Sequence, residues 1–300
     1  MRELKYGKAI CYSGYRNGQS PITRIYPTYE QIKEDLLILE KDYDYIRMYD
    51  PSRHAETTLD VIKKEKINLK VMLGIDLAGE ISNPQCAWGG VYSDEQITKN
   101  IEYNESQLKK LILLAKKYPD IIISVSAGNE AVPEWNENLV SPERVLYFVK
   151  ELKKNTKQIV TYCENINYWD NILVDVAKEV DLISIHTYPI WIGHSIEDAF
   201  KVSVDEYNRI KNTYPNKQCI ITETGWTTRS SRDIKAENAN EKNQKTFIEQ
   251  MQKWSAENEI TIFFFEAFDE PWKGNDDPNE PEKHWGVYYE NRKPKLINQK

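Results

Sequence analysis

Two glutamates follow apolar segments, at positions where a charged side chain is costly. Glu130 follows Ile-Ile-Ile-Ser-Val-Ser-Ala-Gly-Asn, and Glu223 follows Cys-Ile-Ile-Thr. A carboxylate that is removed from water must be paired or must have a function. Two such groups that face each other across a sugar can cleave a glycosidic bond, one as a protonated acid and the other as an ionised nucleophile. We therefore predict that Glu130 and Glu223 form a catalytic pair. The alternative is that each is a buried ion-pair partner in the core.

Short apolar segments alternate with longer amphipathic ones along the whole chain. The short segments are rich in Ile and Val and are seldom interrupted by polar residues, which is typical of parallel strands that are buried on both faces. The predicted strands are residues 8–12, 45–49, 70–75, 121–127, 158–163, 182–186, 218–222 and 261–266. Helical spacing of apolar residues predicts helices over 29–41, 94–118, 141–155, 195–213 and 238–259.

Eight strands that alternate with helices predict an α/β fold, a single (β/α)8 TIM barrel over residues 1–300. A doubly wound open sheet is the alternative, but its usual Gly-x-Gly-x-x-Gly turn is missing from the sequence. The segment after Asp269 has no clear helical pattern, so we expect an abbreviated last helix.

In such a barrel, catalytic residues stand on the loops that follow the strands. Polar and aromatic side chains follow six of the eight predicted strands, so we expect them to meet at one rim. Besides the two glutamates, the candidates for substrate binding are Tyr12, Arg47, Tyr49, Asn129, His186, Tyr188, Trp191, Trp226, Glu270, Trp272 and Lys273.

The composition fits a sugar ligand. Of 34 aromatic residues, 19 are Tyr and 8 are Trp, which combine an apolar face with a polar edge and suit a half-wet cleft. Such rings provide flat surfaces for the C–H faces of sugars, and no cofactor is needed to explain them. The net charge of −7 argues against nucleic acid as a partner.

Other features narrow the function classes further. The cysteines at 11, 86, 163 and 219 are too few and too widely spaced for a disulfide scaffold, so we expect buried free thiols. The four histidines share no metal-ligand spacing, so we expect no metal site. No apolar run reaches the roughly 18 residues of a membrane span. We expect a monomer that is cytoplasmic if Met1 is native, and periplasmic or secreted if a signal peptide was removed.

Several motifs carry a family resemblance. Gly128-Asn129-Glu130 and the segment Thr-Glu-Thr-Gly-Trp at 222–226 resemble the strand-four and strand-seven motifs of glycoside hydrolase family 17, the β-1,3-glucanases of the retaining barrel glycosidase clan. The resemblance includes 46–49, 70–75, 267–273 and 285–288 and extends roughly from residue 8 to residue 294.

The resemblance implies a role for each matched position. Glu130 would be the general acid/base and Glu223 the nucleophile, while Asn129 would bond the sugar 2-hydroxyl or the nucleophile and Arg47 would help to keep the nucleophile ionised. His186 is a departure, because many relatives carry Asn there. The remaining implied roles are Tyr188 beside the nucleophile, Trp226 and Trp272 as sugar platforms, and Glu270 and Lys273 as polar residues beside the cleft.

The implied activity is cleavage of β-1,3-glucan or laminari-oligosaccharides by double displacement through two carboxylates. Two alternatives stay open. A β-1,3-glucanosyltransferase would use the same residues with a sugar acceptor in place of water. A non-catalytic carbohydrate-binding barrel would be expected to lack one of the two carboxylates, and both are present.

Overall fold

The computed structural model describes residues 2–299 and contains a closed parallel barrel. Each strand pairs with the next along the chain, and β8 pairs with β1. The predicted (β/α)8 barrel is therefore confirmed. The strands are β1 (Ala9–Cys11), β2 (Tyr45–Met48), β3 (Lys70–Gly74), β4 (Ile122–Asn129), β5 (Ile159–Asn165), β6 (Leu182–His186), β7 (Gln218–Thr224) and β8 (Ile262–Phe264).

The helices pack outside this barrel. Five of them match the predicted helices to within a few residues, and three were not predicted. The five are α1 (Tyr29–Leu39), α3 (Asp94–Lys117), α4 (Pro142–Asn155), α7 (Ile196–Thr213) and α8 (Glu241–Asn258). The other three are α2 (Arg53–Glu65), α5 (Ile166–Trp169) and α6 (Val174–Glu179).

Local sequence explains where several helices begin. Thr28 accepts a hydrogen bond from the backbone N–H of Gln31, whose side chain in turn bonds the backbone of Thr28, so α1 starts with a capping box. Ser141 caps α4 by accepting a hydrogen bond from the backbone N–H of Arg144 and is followed by Pro142 at the first helical position. These caps satisfy backbone donors that have no partner inside the helix.

The buried side chains form two layers, because successive residues of a strand point to opposite faces. One layer fills the inside of the barrel and includes Cys11, Met72, Cys163 and Phe263. The larger layer lies between the strands and the helices. All four cysteines are buried free thiols, as predicted. No helix within residues 2–299 is long and apolar enough to cross a membrane.

The chain after β8 takes the place of an eighth barrel helix, which confirms the expected abbreviation. Within the described residues, its helical elements are the short 3-10 turns at Pro281–Lys283 and Leu296–Asn298. Arg292 forms a buried ion pair with Asp35 of α1 at 2.6 Å, and the backbone N–H of Leu296 donates to Glu241 of α8 at 2.8 Å. The tail therefore joins the first and last helices of the ring.

Candidate active site

A cleft with a volume of about 1480 Å³ opens where the strands end. Residues at or after the ends of all eight strands line it, as expected for the catalytic face of a barrel. Both Glu130 and Glu223 are among the lining residues. The two carboxylates that the sequence singled out thus share one cleft.

Glu130 is the first residue after β4, and its backbone is unusual. Its φ is +44°, in the left-handed region that non-glycine residues rarely adopt. The pairing of β4 with β5 shifts register between Ser126 and Asn129, just before this residue. About a fifth of the Glu130 side chain is exposed to the cleft (21%). Such a local distortion is typical of a functional position.

Glu223 lies inside β7 and is almost completely enclosed. It accepts hydrogen bonds from Arg47 at 2.5 Å and Tyr49 at 3.0 Å on Oε1, and from Tyr188 at 2.7 Å on Oε2. Burial by itself raises the pKa of Glu223, but the charges of His186 and Arg47 and these hydrogen bonds lower it to about 2. Glu223 is therefore ionised at neutral pH, as a nucleophile must be.

Arg47 connects three strands at the floor of the cleft. Besides Glu223, its guanidinium donates to Oδ1 of Asn129 at 2.5 Å and to the carbonyl oxygen of Thr222 at 3.2 Å. The side chain is 2% exposed, so this pairing compensates for the loss of hydration. Arg47 fixes the positions of Glu223 and Asn129 relative to each other.

His186 lies between the two carboxylates and is buried. Its Nδ1 is 2.8 Å from Oε1 of Glu130, and its Nε2 is 3.7 Å from Oε1 of Glu223. Burial favours the neutral ring, but the charges of Glu223 and Glu130 raise the pKa of His186 to about 10. Because the ring is buried and not among the cleft-lining residues, the structure corrects its sequence assignment: His186 contacts the carboxylates of Glu130 and Glu223 behind the cleft surface.

A second charged cluster borders the cleft beyond β8. Lys273 lies 2.7 Å from Glu266 and 2.9 Å from Glu270. Although burial favours its neutral form, these carboxylates raise the pKa of Lys273. Lys273 lines the cleft, whereas Glu270 is fully buried and also accepts from the backbone N–H of Tyr15 at 3.2 Å. The structure thus places Glu270 behind the cleft wall, where it positions Lys273, and not in contact with a sugar.

The predicted aromatic residues divide into two groups. Tyr49, Tyr188, Trp191 and Trp272 line the cleft. Trp226 does not: it is fully buried, its indole N–H donates to the carbonyl oxygen of Asn238 at 2.8 Å, and its ring packs on Phe247 of α8. The chain leaves the barrel at this point, so Trp226 faces the helix layer. The expectation that it is a sugar platform is wrong.

Tyr12 borders the cleft floor but is nearly fully buried. Its hydroxyl donates to Asp35 of α1 at 3.3 Å, and its ring packs against Phe268 and His54. These contacts occupy the polar group that a sugar would use. Tyr12 therefore supports the floor of the cleft.

Three tryptophans outside the predicted set of substrate-binding residues also line the cleft. Trp285 packs edge-on against Tyr188 at 5.3 Å between ring centroids and lies 5.8 Å from Trp191. Its motif was recognised, but no periodic pattern shows that this loop residue returns to the cleft. Trp88 and Trp135 stand on long loops after β3 and β4, and their exposure became apparent only in the structure.

Sequence comparison identifies the chain's family. The model of the BtgE/BtgC glycoside hydrolase domain matches residues 9–286. The chain belongs to this family. It is a glycoside hydrolase domain, and the cleft with its two carboxylates is the candidate active site of that domain.

Individual relatives agree with the family assignment. The chain is 30% identical to a glucan 1,3-beta-glucosidase of Arthroderma benhamiae over 216 residues, 65% of this chain and 68% of that protein. It is 24% identical over 292 residues to a putative glucan endo-1,3-beta-glucosidase of Aspergillus niger, covering 90% of this chain. The chain spans only 40% of the length of that Aspergillus protein.

Solved structures show the same fold at low sequence identity. An endo-laminarinase from Formosa superposes with a TM-score of 0.81 at 24% identity, over 96% of this chain and 84% of that one. A Rhizomucor miehei beta-1,3-glucanosyltransferase superposes with a TM-score of 0.76 at 18% identity, over 97% of this chain and 96% of that one. A Dictyoglomus thermophilum beta-D-glucuronidase gives 0.75 at 17% identity, over 98% of this chain and 49% of that one. At these low sequence identities, the similarity to the three structures is evidence for the fold alone.

Proposed function

We propose that this glycoside hydrolase domain cleaves β-1,3-glucan or laminari-oligosaccharides with retention of configuration, as a member of glycoside hydrolase family 17. The observation that carries the mechanism is the asymmetry of the two carboxylates. Glu223 is enclosed, ionised and held by three side-chain donors, whereas Glu130 is partly exposed to the cleft. The names of the relatives support the choice of β-1,3-glucan.

In the first half-reaction, an oxygen of Glu223 attacks the anomeric carbon of the sugar. The bond from that carbon to the leaving oxygen breaks, and Glu130 gives its proton to this oxygen. Arg47, Tyr49 and Tyr188 keep Glu223 oriented for the attack. In the second half-reaction, Glu130 takes a proton from water, the water oxygen bonds the anomeric carbon, and Glu223 leaves as a carboxylate.

The charges in the cleft favour a neutral substrate. Among the described residues that line the cleft, the two Lys or Arg side chains are Lys273 and Arg232. Lys273 is paired with Glu266 and Glu270, and Arg232 is paired with Glu280 at 2.8 Å. The carboxylate of a glucuronide would therefore meet cations that are already paired, beside several acidic side chains. A neutral glucan therefore fits this cleft better than a glucuronide.

Transfer to a sugar acceptor is the second candidate function. It shares every step up to the glycosyl-enzyme, after which a sugar hydroxyl takes the place of water. Two exposed tryptophans in the cleft favour it, since an acceptor needs a surface to bind.

Product analysis tests the proposal. The protein is incubated with laminarin and laminari-oligosaccharides, with cellulose oligosaccharides and aryl glucuronides as comparison substrates. We expect β-anomeric products from the β-1,3-linked substrates by early-time NMR and no turnover by Glu223→Ala. Products longer than the substrate would indicate transfer. Initial α-anomers, or wild-type rates in Glu223→Ala, would contradict the retaining mechanism.

A further inference from the structure

Two tryptophans at the rim of the cleft are unusually exposed. Trp88 is 66% exposed and Trp135 is 40% exposed, and both line the cleft. Large aromatic side chains that are exposed in a concave site mark a binding surface more often than a packing defect. Neither is used in the catalytic steps described above.

The backbone around both tryptophans is held in place. Asn83, which is 5% exposed, donates from Nδ2 to the carbonyl oxygens of Glu134 at 2.7 Å and Asn136 at 2.9 Å, on either side of Trp135. The thiol of Cys86 contacts the carbonyl oxygen of Trp135 at 3.3 Å. The loop after β3 and the loop after β4 therefore form one rim that presents both indoles.

This rim is also attached to Glu130. The side-chain amide of Asn136 donates to the carbonyl oxygen of Glu130, and the backbone N–H of Val140 donates to Ala131 at 2.7 Å. In the proposed mechanism Glu130 protonates the leaving oxygen, so the departing part of the substrate lies on the side of Glu130. The tryptophans stand on the same loop and its neighbour.

We propose that Trp135, together with Trp88, is the platform that binds the sugar units beyond the scissile bond. This inference rests on the proposed function and deepens it, because the same platform would hold an incoming acceptor. The ligand is a neutral β-linked glucosyl unit whose C–H face stacks on the indole. The platform then determines how efficiently long substrates are cleaved and what share of the products comes from transfer rather than hydrolysis.

Two substrates separate this role from a general defect. One is a laminari-oligosaccharide long enough to extend past Glu130. The other is an aryl β-laminaribioside, which has no sugar beyond the scissile bond. For Trp135→Ala we expect kcat/KM to fall roughly tenfold on the oligosaccharide, by analogy with the loss of an aromatic stacking partner, and to change less than about twofold on the aryl substrate. We expect a smaller loss for Trp88→Ala, and fewer transfer products from both variants.

Matched variants control for loop damage. Ile81 lies on the same loop as Trp88 and is about as exposed as Trp135 (39% against 40%), but it does not line the cleft. Ile81→Ala should therefore leave kcat/KM unchanged on both the oligosaccharide and the aryl substrate. Trp135→Phe keeps a ring and should recover most of the lost activity. Equal losses of Trp135→Ala on both substrates, or no loss on either, would refute the platform.

A binding measurement covers the case in which the proposed function fails. In a Glu223→Ala background, laminari-oligosaccharide affinity is measured by calorimetry with and without Trp135→Ala. The platform predicts weaker binding in the double variant, and equal affinities would overturn it. Absence of turnover by the wild type on every β-1,3-linked substrate would refute the proposed function instead.

Discussion

Replacement of His186 by Asn offers a direct test of how the site keeps Glu223 ionised. The imidazole lies between the two carboxylates, and they raise the pKa of His186 to about 10 although burial opposes this. The ring therefore carries a positive charge at neutral pH. Asn keeps a polar side chain near Glu130 but removes that charge.

The structure sets the size of the expected effect. His186 Nε2 is 3.7 Å from Oε1 of Glu223. With an effective dielectric constant of about 20, two unit charges at this distance attract by about 4.5 kcal/mol. That energy corresponds to about 3 pKa units. The pKa of Glu223, about 2 in the wild type, should therefore rise to about 5 in His186→Asn.

The assay is the pH dependence of kcat/KM, whose acidic limb reports the essential ionised carboxylate of the free enzyme. The wild type should stay active until acid unfolding, and His186→Asn should show a limb near pH 5. His54→Asn is the matched control, because burial lowers the pKa of His54 to about 4 and its ring is neutral at pH 7. An unmoved limb in His186→Asn would refute the charged imidazole.

Three further outcomes follow from buried contacts. Trp226→Ala should lower the free energy of unfolding in urea by about 3–5 kcal/mol, because it leaves a cavity against α8; a loss below 1 kcal/mol would contradict this packing role. Lys273→Met should lower the free energy of unfolding by a similar amount, about 3–5 kcal/mol, because Glu266 and Glu270 lose their shared cation. Adding Glu266→Gln should recover part of this lost stability. A double variant that is no more stable than Lys273→Met would argue against the charge explanation. Folding raises the pKa of His186 from 6.5 to about 10. The protonated ring should therefore stabilise the folded wild type fully below pH 6.5, and this stabilisation should be lost as the pH rises through 10. The midpoint of thermal unfolding should fall across this pH range in the wild type and should not do so in His186→Asn.

The strands and the two glutamates were predictable from the sequence for the same physical reason. Parallel strands covered on both faces read as continuous apolar runs, and a carboxylate at the end of such a run stands out. Glu130 and Glu223 both end apolar runs, and the rule that loops after strands meet at one rim placed them together. The helix α2 was not predicted, although its buried residues Ala55, Leu59 and Ile62 are spaced as on one face of a helix.

The directions of loop residues were not predictable. Trp226 comes three residues after Glu223, but by then the chain has left the barrel and the alternation of strand faces no longer applies. Trp285 returns to the cleft from a segment without regular secondary structure. The bridging position of His186 depends on the distances between β4, β6 and β7, which only the closed barrel sets.

The motif Gly128-Asn129-Glu130 links the proposed proton donor to the rim that carries Trp135. Gly128 has a φ of +146°, which favours glycine, and a Cβ there would also lie 2.9 Å from a methyl group of Leu77. The left-handed backbone of Glu130 is then held by three hydrogen bonds around it: its N–H donates to Cys163 at 2.9 Å, the N–H of Ala131 donates to Tyr162 at 2.8 Å, and the amide of Asn136 donates to its carbonyl oxygen. Since Asn136 also adjoins Trp135, the position of Glu130, the proposed proton donor, and the position of the proposed platform depend on the same contact. Side-chain truncation at Trp135 separates the two, whereas any change that removes the side-chain amide of Asn136 should impair proton transfer and binding beyond the scissile bond together.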